Sequence, residues 1–320
     1  MPALVGGFGM FKFTSLFNIL SDCIYYQKII KIKNKILKLN KNYCSKNTTL
    51  QNININLLRS KMGPYLAGLI EGNGTISVHN PNSTTNKISP QIIIVFKKAE
   101  LPLANYLQNI TQCGQVLIKP ERGYVLWQIQ DIVSIFTIVS IINGFMRTPK
   151  IEALYRTIDW LNNYINNNNN LLGPEATITE LIFEARGHKI IILENKPLDS
   201  SPIDSNAWLS GFTDADGNFS INIQKRTNKN STKVELTYRL EINQNYNKSD
   251  TEENKVSFFP IISKIGLYLG VTVYSRSRII NDKIYYSFII VSQNKLSNSK
   301  VCDYFNKYSL LSSKFLDYKD

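Results

Sequence analysis

Two short stretches of the chain carry acidic and amide side chains at a spacing that could serve a metal ion: Glu71-Gly72-Asn73-Gly74 and Asp214-Ala215-Asp216-Gly217. Each closes an apolar, helix-like segment, which puts these groups at a helix C-terminus, where the dipole is negative and unpaired carbonyls point outward. Carboxylates brought together at such a place repel, and one of them takes up a proton. A bound divalent cation removes that conflict. With 2 His and 4 Cys in the whole chain, and the cysteines scattered as Cys23, Cys44, Cys113 and Cys302, the composition argues against a zinc site or a disulfide scaffold. Oxygen ligands remain, and they favour Mg²⁺ or a similar hard ion.

The elements that must position these groups are themselves repeated. Pro64-Tyr65-Leu66-Ala67-Gly68-Leu69-Ile70 leads into the first stretch, and Ala207-Trp208-Leu209-Ser210-Gly211-Phe212-Thr213 leads into the second, 143 residues later. Pro64 suits a first helical turn, and Ser205 and Asn206 are good caps for the second helix. A glycine inside a helix costs about 1 kcal/mol relative to alanine, so Gly68 and Gly211 need a reason. The simplest is that the two helices cross with their backbones nearly touching at Ala67, Gly68, Ser210 and Gly211, relating two halves by a pseudo-two-fold axis.

The segments after the two helices are also alike. Alternating runs after Gly74 and Gly217 predict half-exposed strands, and further strands are expected at Gln91–Phe96 and Thr237–Gln244. A helical segment and two more strands come next in each half, at Gln115–Lys119 with Tyr124–Ile129 and at Val271–Arg278 with Ile284–Val291. Helical patterns close the halves at Ile132–Val139 and Val301–Tyr308, and Ile151, Leu154, Tyr155, Ile158 and Leu161 share one helix face. The expected fold is α+β: two pseudo-symmetric αββαββα halves whose antiparallel sheets form a saddle, joined through the paired helices. The predicted domains are 1–60 as a basic flexible linker, 61–165 and 205–320 as the halves, and 166–204 as a connector.

The chain has 320 residues and a formal net charge of +13, which points to a polyanionic partner. Much of that excess is N-terminal: residues 1–60 hold eight lysines and Arg59 against Asp22 alone. No run of apolar residues is long enough for a membrane span, so no stable membrane insertion is expected. The absence of Arg from the first 58 residues argues against a mitochondrial import peptide.

Leu66–Gly74 and Leu209–Gly217 resemble the two signature helices of a single-chain LAGLIDADG homing endonuclease, and the resemblance covers roughly residues 63–320. Separately, Met1-Pro2-Ala3-Leu4-Val5-Gly6-Gly7-Phe8-Gly9 resembles a piece of cytochrome oxidase subunit 1, which implies a reading frame continued from an exon into a mitochondrial intron. The family resemblance implies a site-specific DNA endonuclease acting as a monomer on double-stranded DNA with Mg²⁺. Proteins of this kind also act as maturases on their own group I intron RNA, the alternative function. The expected location is the mitochondrial matrix.

Carried over residue by residue, the resemblance makes Asp216 the metal-binding acid of the second motif, with Gly72 and Ala215 beside it. The matching position in the first motif is Asn73, a departure that removes one carboxylate and implies weak cutting or nicking. Glu71 matches Asp214, a position less directly catalytic in the family. Lys150 and Lys314, each at the start of the last helix of its half, match the family's basic residues near the scissile phosphates, and Gln244, with Lys98 as its counterpart, matches a solvent-positioning residue.

DNA reading follows from alternation. With Phe219, Ile221 and Ile223 turned to the core, Ser220, Asn222, Gln224 and Arg226 face outward, and Arg239 and Glu241 with Arg276 and Arg278 extend that face. Such a ribbon fits the major groove, where Arg, Asn and Gln make paired contacts to base edges.

Overall fold

The computed structural model describes residues 55–78, 89–169, 191–225, 232–247 and 255–320. The N-terminal nonapeptide, most of the basic segment and Arg226 lie outside the described residues. The first half runs α1 (Ile55–Asn73), β1 (Gly74–Ser77), β2 (Gln91–Lys97), α2 (Leu101–Thr111), β3 (Gln115–Lys119), β4 (Tyr124–Ile129), α3 (Ile132–Ile142) and α4 (Ile151–Asn169). The second runs α5 (Trp208–Asp216), β5 (Gly217–Lys225), β6 (Thr232–Asn243), the small hairpin β7 (Asn245–Asn247) and β8 (Lys255–Ser257), then α6 (Phe259–Leu269), β9 (Val273–Ile280), β10 (Lys283–Ser292), α7 (Lys295–Lys307) and α8 (Lys314–Lys319). The repeat is therefore present with one more helix closing each half, and the β7–β8 hairpin has no counterpart among the described residues of the first half.

The two four-stranded sheets share one antiparallel topology, β1-β2-β4-β3 and β5-β6-β10-β9. Their registers match as well: Gly74 pairs with Ile94 where Gly217 pairs with Leu240. Residues of β2 thus map onto β6 with one constant offset, and Lys98 falls opposite Gln244 by position. One face of the first sheet buries Ile92, Ile94, Phe96, Val125, Trp127 and Ile129 against helices that are themselves apolar. Each such side chain contributes about 1.5–3 kcal/mol when fully buried. The expected core stripe of α3 is buried from Val133 to Ile142 apart from Ser140, and Asp131 caps its first turn by accepting from Ser134 N at 2.8 Å.

Two expectations need correction. Pro64 does not start its helix: α1 begins at Ile55, crosses the expected boundary at residue 60, and carries Pro64 inside it. The ring removes one hydrogen bond to Ser60, which lies on an exposed part of the helix. Ile221 and Ile223 are not core residues either, being 47% and 66% exposed. Only Phe219 of that row is packed, against Tyr238, Phe305 and Tyr318. The β5–β6 hairpin runs on beyond the helices, and the partners of Ile221 and Ile223, Leu236 and Val234, are exposed with them.

Candidate active site at the helix tips

Helices α1 and α5 cross at their glycines. A Cβ on Gly68 would lie 2.0 Å from the Trp208 carbonyl oxygen, and one on Gly211 would lie 1.9 Å from that of Tyr65. The reciprocal contact is the pseudo-two-fold axis. Ser210, expected at the crossing, donates to the Tyr308 carbonyl of its own half. Ala67, at the matching position of α1, is buried. Four residues beyond each glycine, Gly72 faces Ala215, with a Cβ on Gly72 falling 2.1 Å from the Ala215 Cβ. The helix tips are therefore side by side, as a shared site requires.

The two acids two residues back from the tips have a structural task. Buried Glu71 accepts from Arg147 N at 2.9 Å, from Thr148 N at 2.6 Å and from the Trp208 indole N–H of the other helix. Asp214 matches it, accepting from Leu311 N at 2.8 Å, from Ser312 N at 3.3 Å and from the Tyr65 hydroxyl of the other helix at 2.7 Å. Each carboxylate thus grips the loop just before a lysine, Lys150 or Lys314. Thr148 and Ser312 then cap those lysines' backbone N–H groups through their hydroxyls, at 3.3 and 3.2 Å. Glu71, a catalytic candidate at the position the family uses less directly, has its oxygens engaged in holding the loop. Burial pushes both Glu71 and Asp214 above the ordinary carboxylate range, against the donors that favour the charged form.

The lysines reach the tips. Lys150 Nζ donates to the Gly72 and Gly74 carbonyls at 3.1 and 2.9 Å. Lys314 Nζ donates to those of Thr213, Asp214 and Ala215 at 3.0, 2.9 and 3.0 Å. The cations complement the negative helix ends, and the Gly72 and Ala215 carbonyls, expected as metal donors, here accept from lysine. Burial depresses both ammonium groups, opposed by Asp216 and Glu71 at Lys150 and by Asp214 and Asp216 at Lys314. Burial likewise raises Asp216, opposed by Lys150 and Lys314. Asn73 turns its amide N–H to the Ala215 carbonyl at 3.4 Å.

A cavity of about 260 Å³ opens beside the tips, lined by Glu71, Gly72, Lys150 and Asp216 together with Asn243, Asn245 and Tyr246. Asn243 and Asn245 were not singled out from sequence; their signal is their place on either side of Gln244. Gln244 itself does not line that cavity, because its amide donates to Ser275 Oγ at 2.6 Å on the neighbouring sheet face. Among the described residues no cluster of three or more His, Cys, Asp or Glu side chains could cage a metal. The donors at the tips, one carboxylate, one amide oxygen and backbone carbonyls, fit a hard divalent ion whose other positions are filled by phosphate and water, as is usual for Mg²⁺.

The expected readout residues are on the outward face of the second sheet. Ser220, Asn222 and Gln224 are exposed on β5, opposite Thr237, Glu235 and Lys233. Arg239, Arg276 and Arg278 gather around Glu241.

The connector is not a free linker where it is described. Arg147, its side chain 1% exposed, pairs with Asp199 at 2.7 Å and donates to Ser201, while its guanidinium lies 5.6 Å from the Trp208 ring centroid. Asn162 pairs with Leu193 through both amide atoms at 2.9 Å. Arg147→Met should therefore cost about 3 kcal/mol of stability, since it takes the cation from Asp199, which keeps Ser201 N and Asn206 as donors, and removes the donations to Ser201. Urea denaturation would measure it, and a loss under about 1 kcal/mol would mean the strap holds without the pair.

A model described as LAGLIDADG endonuclease matches residues 66–161 and 209–320. The chain is similar to the intron-encoded DNA endonuclease aI3 of Saccharomyces cerevisiae, 44% identical over 333 residues, covering 100% of this chain and 71% of that protein. It is also similar to an uncharacterized cox1 intron-2 37.2 kDa protein of Schizosaccharomyces pombe, 29% identical over 259 residues, covering 81% of this chain and 64% of that one. Among solved structures, the LAGLIDADG homing endonuclease I-GzeII in complex with its DNA target aligns with a TM-score of 0.53 at 18% identity, over 80% of this chain and 87% of that chain.

Proposed function

From the premise that the chain belongs to the LAGLIDADG endonuclease family, we propose that it is an intron-encoded, site-specific DNA endonuclease whose two halves cut unequally. The reading rests on one observation. At matched tips of α1 and α5, Asp216 offers a carboxylate where Asn73 offers only a neutral amide. The reaction is hydrolysis of a phosphodiester bond: the oxygen of water bonds to phosphorus as a bridging P–O bond breaks, and the leaving oxygen takes a proton.

A divalent ion held by Asp216 and the Asn73 amide oxygen, Mg²⁺ by preference, would supply Lewis-acid stabilisation of the charge that develops on phosphate. Lys150 and Lys314 supply a cation on each side of Asp216, able to release helix carbonyls and pair with a backbone phosphate. Because one chain carries both halves, a monomer covers both halves of a target. The relatives' intron encoding supports a mitochondrial origin, with the matrix as the working compartment.

Restoring the missing carboxylate tests the reading. With the full chain, Mg²⁺ and duplex DNA spanning the joined exons, the natural sequence should give mainly nicked product. Asn73→Asp should raise double-strand cleavage at least about tenfold, corresponding to roughly 1.4 kcal/mol of transition-state stabilisation. Equal double-strand cleavage by both proteins would overturn the inequality.

Asn73 also favours a second reading, an RNA maturase acting on its own group I intron, because binding a folded RNA does not need a second metal-bearing carboxylate.

A further inference from the structure

The matched registers allow the outward faces of the two sheets to be compared position by position. In the first sheet Val95 pairs with Leu126, which pairs with Leu117. In the second sheet the same row is Glu241, Ile289 and Tyr274. The first row is wholly apolar, and Val95 stays exposed on it, while the row beyond holds Lys97, Tyr124 and Lys119 where the second sheet has Asn243, Ser287 and Arg276. The second is built around a carboxylate: Glu241 accepts from Arg278 at 2.6 Å, from Ser287 Oγ at 2.8 Å and from Arg239, with Arg276 at 3.8 Å. Three guanidinium groups share one anion, and each arginine side chain remains 36–44% exposed.

These are the two chemistries that distinguish base pairs in a major groove. Arginine held in a fixed plane donates two parallel hydrogen bonds to guanine, and a carboxylate beside it accepts from the cytosine amino group. An apolar row offers nothing to those edges but contacts the thymine methyl group. Anchoring by Glu241 matters because a loose arginine pairs with any phosphate, whereas a planar group already oriented has less freedom to lose on binding.

We propose that Glu241 is a specificity-positioning residue: it sets Arg239, Arg276 and Arg278 to read a G·C pair, while the Val95–Leu126–Leu117 row selects an A·T pair at the symmetry-related position. The target is thus two unlike half-sites read by like scaffolds. The inference rests on the DNA-endonuclease reading above.

The test is selection from a duplex library with a randomised core, using the full chain in EDTA so that binding is read without cutting. Duplexes enriched by the natural sequence should carry G·C at one position and A·T at its mirror position in the other half. Glu241→Gln, nearly isosteric, should lower the G·C preference about tenfold or more. It should also raise affinity for unselected duplex and steepen the salt dependence, because a cation is freed for phosphate. Val95→Ser should weaken only the A·T preference of the opposite half. The same base pair at both mirror positions, or a uniform loss of affinity in Glu241→Gln, would overturn the inference. Failure to enrich any duplex would instead overturn the DNA reading itself, and this inference with it.

Discussion

Asp216→Asn should lower cleavage of a DNA target about a thousandfold or more while leaving the affinity for that target within a fewfold of the original. The size follows from what is left. Glu71 and Asp214 are spent on the loops before Lys150 and Lys314, and Asn73 is already neutral. Asp216 is therefore the last carboxylate free at the helix tips. Metal-assisted stabilisation of a phosphoryl transition state is worth several kcal/mol, and about 4 kcal/mol corresponds to a thousandfold in rate. On the proposed reading binding rests instead on the outward sheet faces, which this substitution does not touch. Gel-shift titration and cleavage assays on one preparation would separate the two effects. Cleavage retained within about tenfold would show that another group, Glu71 first among them, supplies the charge. The same variant divides the two functional readings, because assistance to intron splicing should survive it.

Gly68→Ala or Gly211→Ala should destabilise the fold by about 3 kcal/mol or more, at the upper end of overpacking costs. On helix propensity alone the substitution is favourable by about 1 kcal/mol, so the two arguments predict opposite signs. Distance decides between them. An added methyl would sit 2.0 or 1.9 Å from a backbone carbonyl oxygen of the opposing helix, and a backbone cannot step aside as a flexible side chain can. Separation of the helices would also pull Gly72 from Ala215 and disband the tips, so cleavage should fall along with the denaturation midpoint. A stability change within about 0.5 kcal/mol would mean the crossing is looser than these distances require.

Much of this architecture was legible before any coordinates. Strands β3 and β4 fall on their expected boundaries, because turn residues and alternation mark them without ambiguity. The crossing could be read from Gly68 and Gly211, since a glycine at equal positions in two helices has few uses but close approach. Pro64 misled because a proline favours a first helical turn without being confined to it, and here the helix runs through it from Ile55. Ile221 and Ile223 misled because alternation reports which face a residue takes, while burial depends on whether a helix covers that face. The roles of Glu71 and Asp214 were hidden for a different reason. Their partners, Arg147 with Thr148 and Leu311 with Ser312, are 76 or more residues away in sequence, and no local pattern announces a carboxylate that accepts from a distant loop.

The exchanged donors, Tyr65 to Asp214 and Trp208 to Glu71, have a consequence for ancestry and for engineering. In each repeat the acid that holds the loop before the lysine also accepts from the other repeat's aromatic side chain. A chimaera that grafts one repeat onto a foreign partner must therefore import a hydrogen-bonding aromatic at the opposite helix as well. After gene fusion the two copies could drift apart in what they recognise, as long as these reciprocal handshakes drifted together.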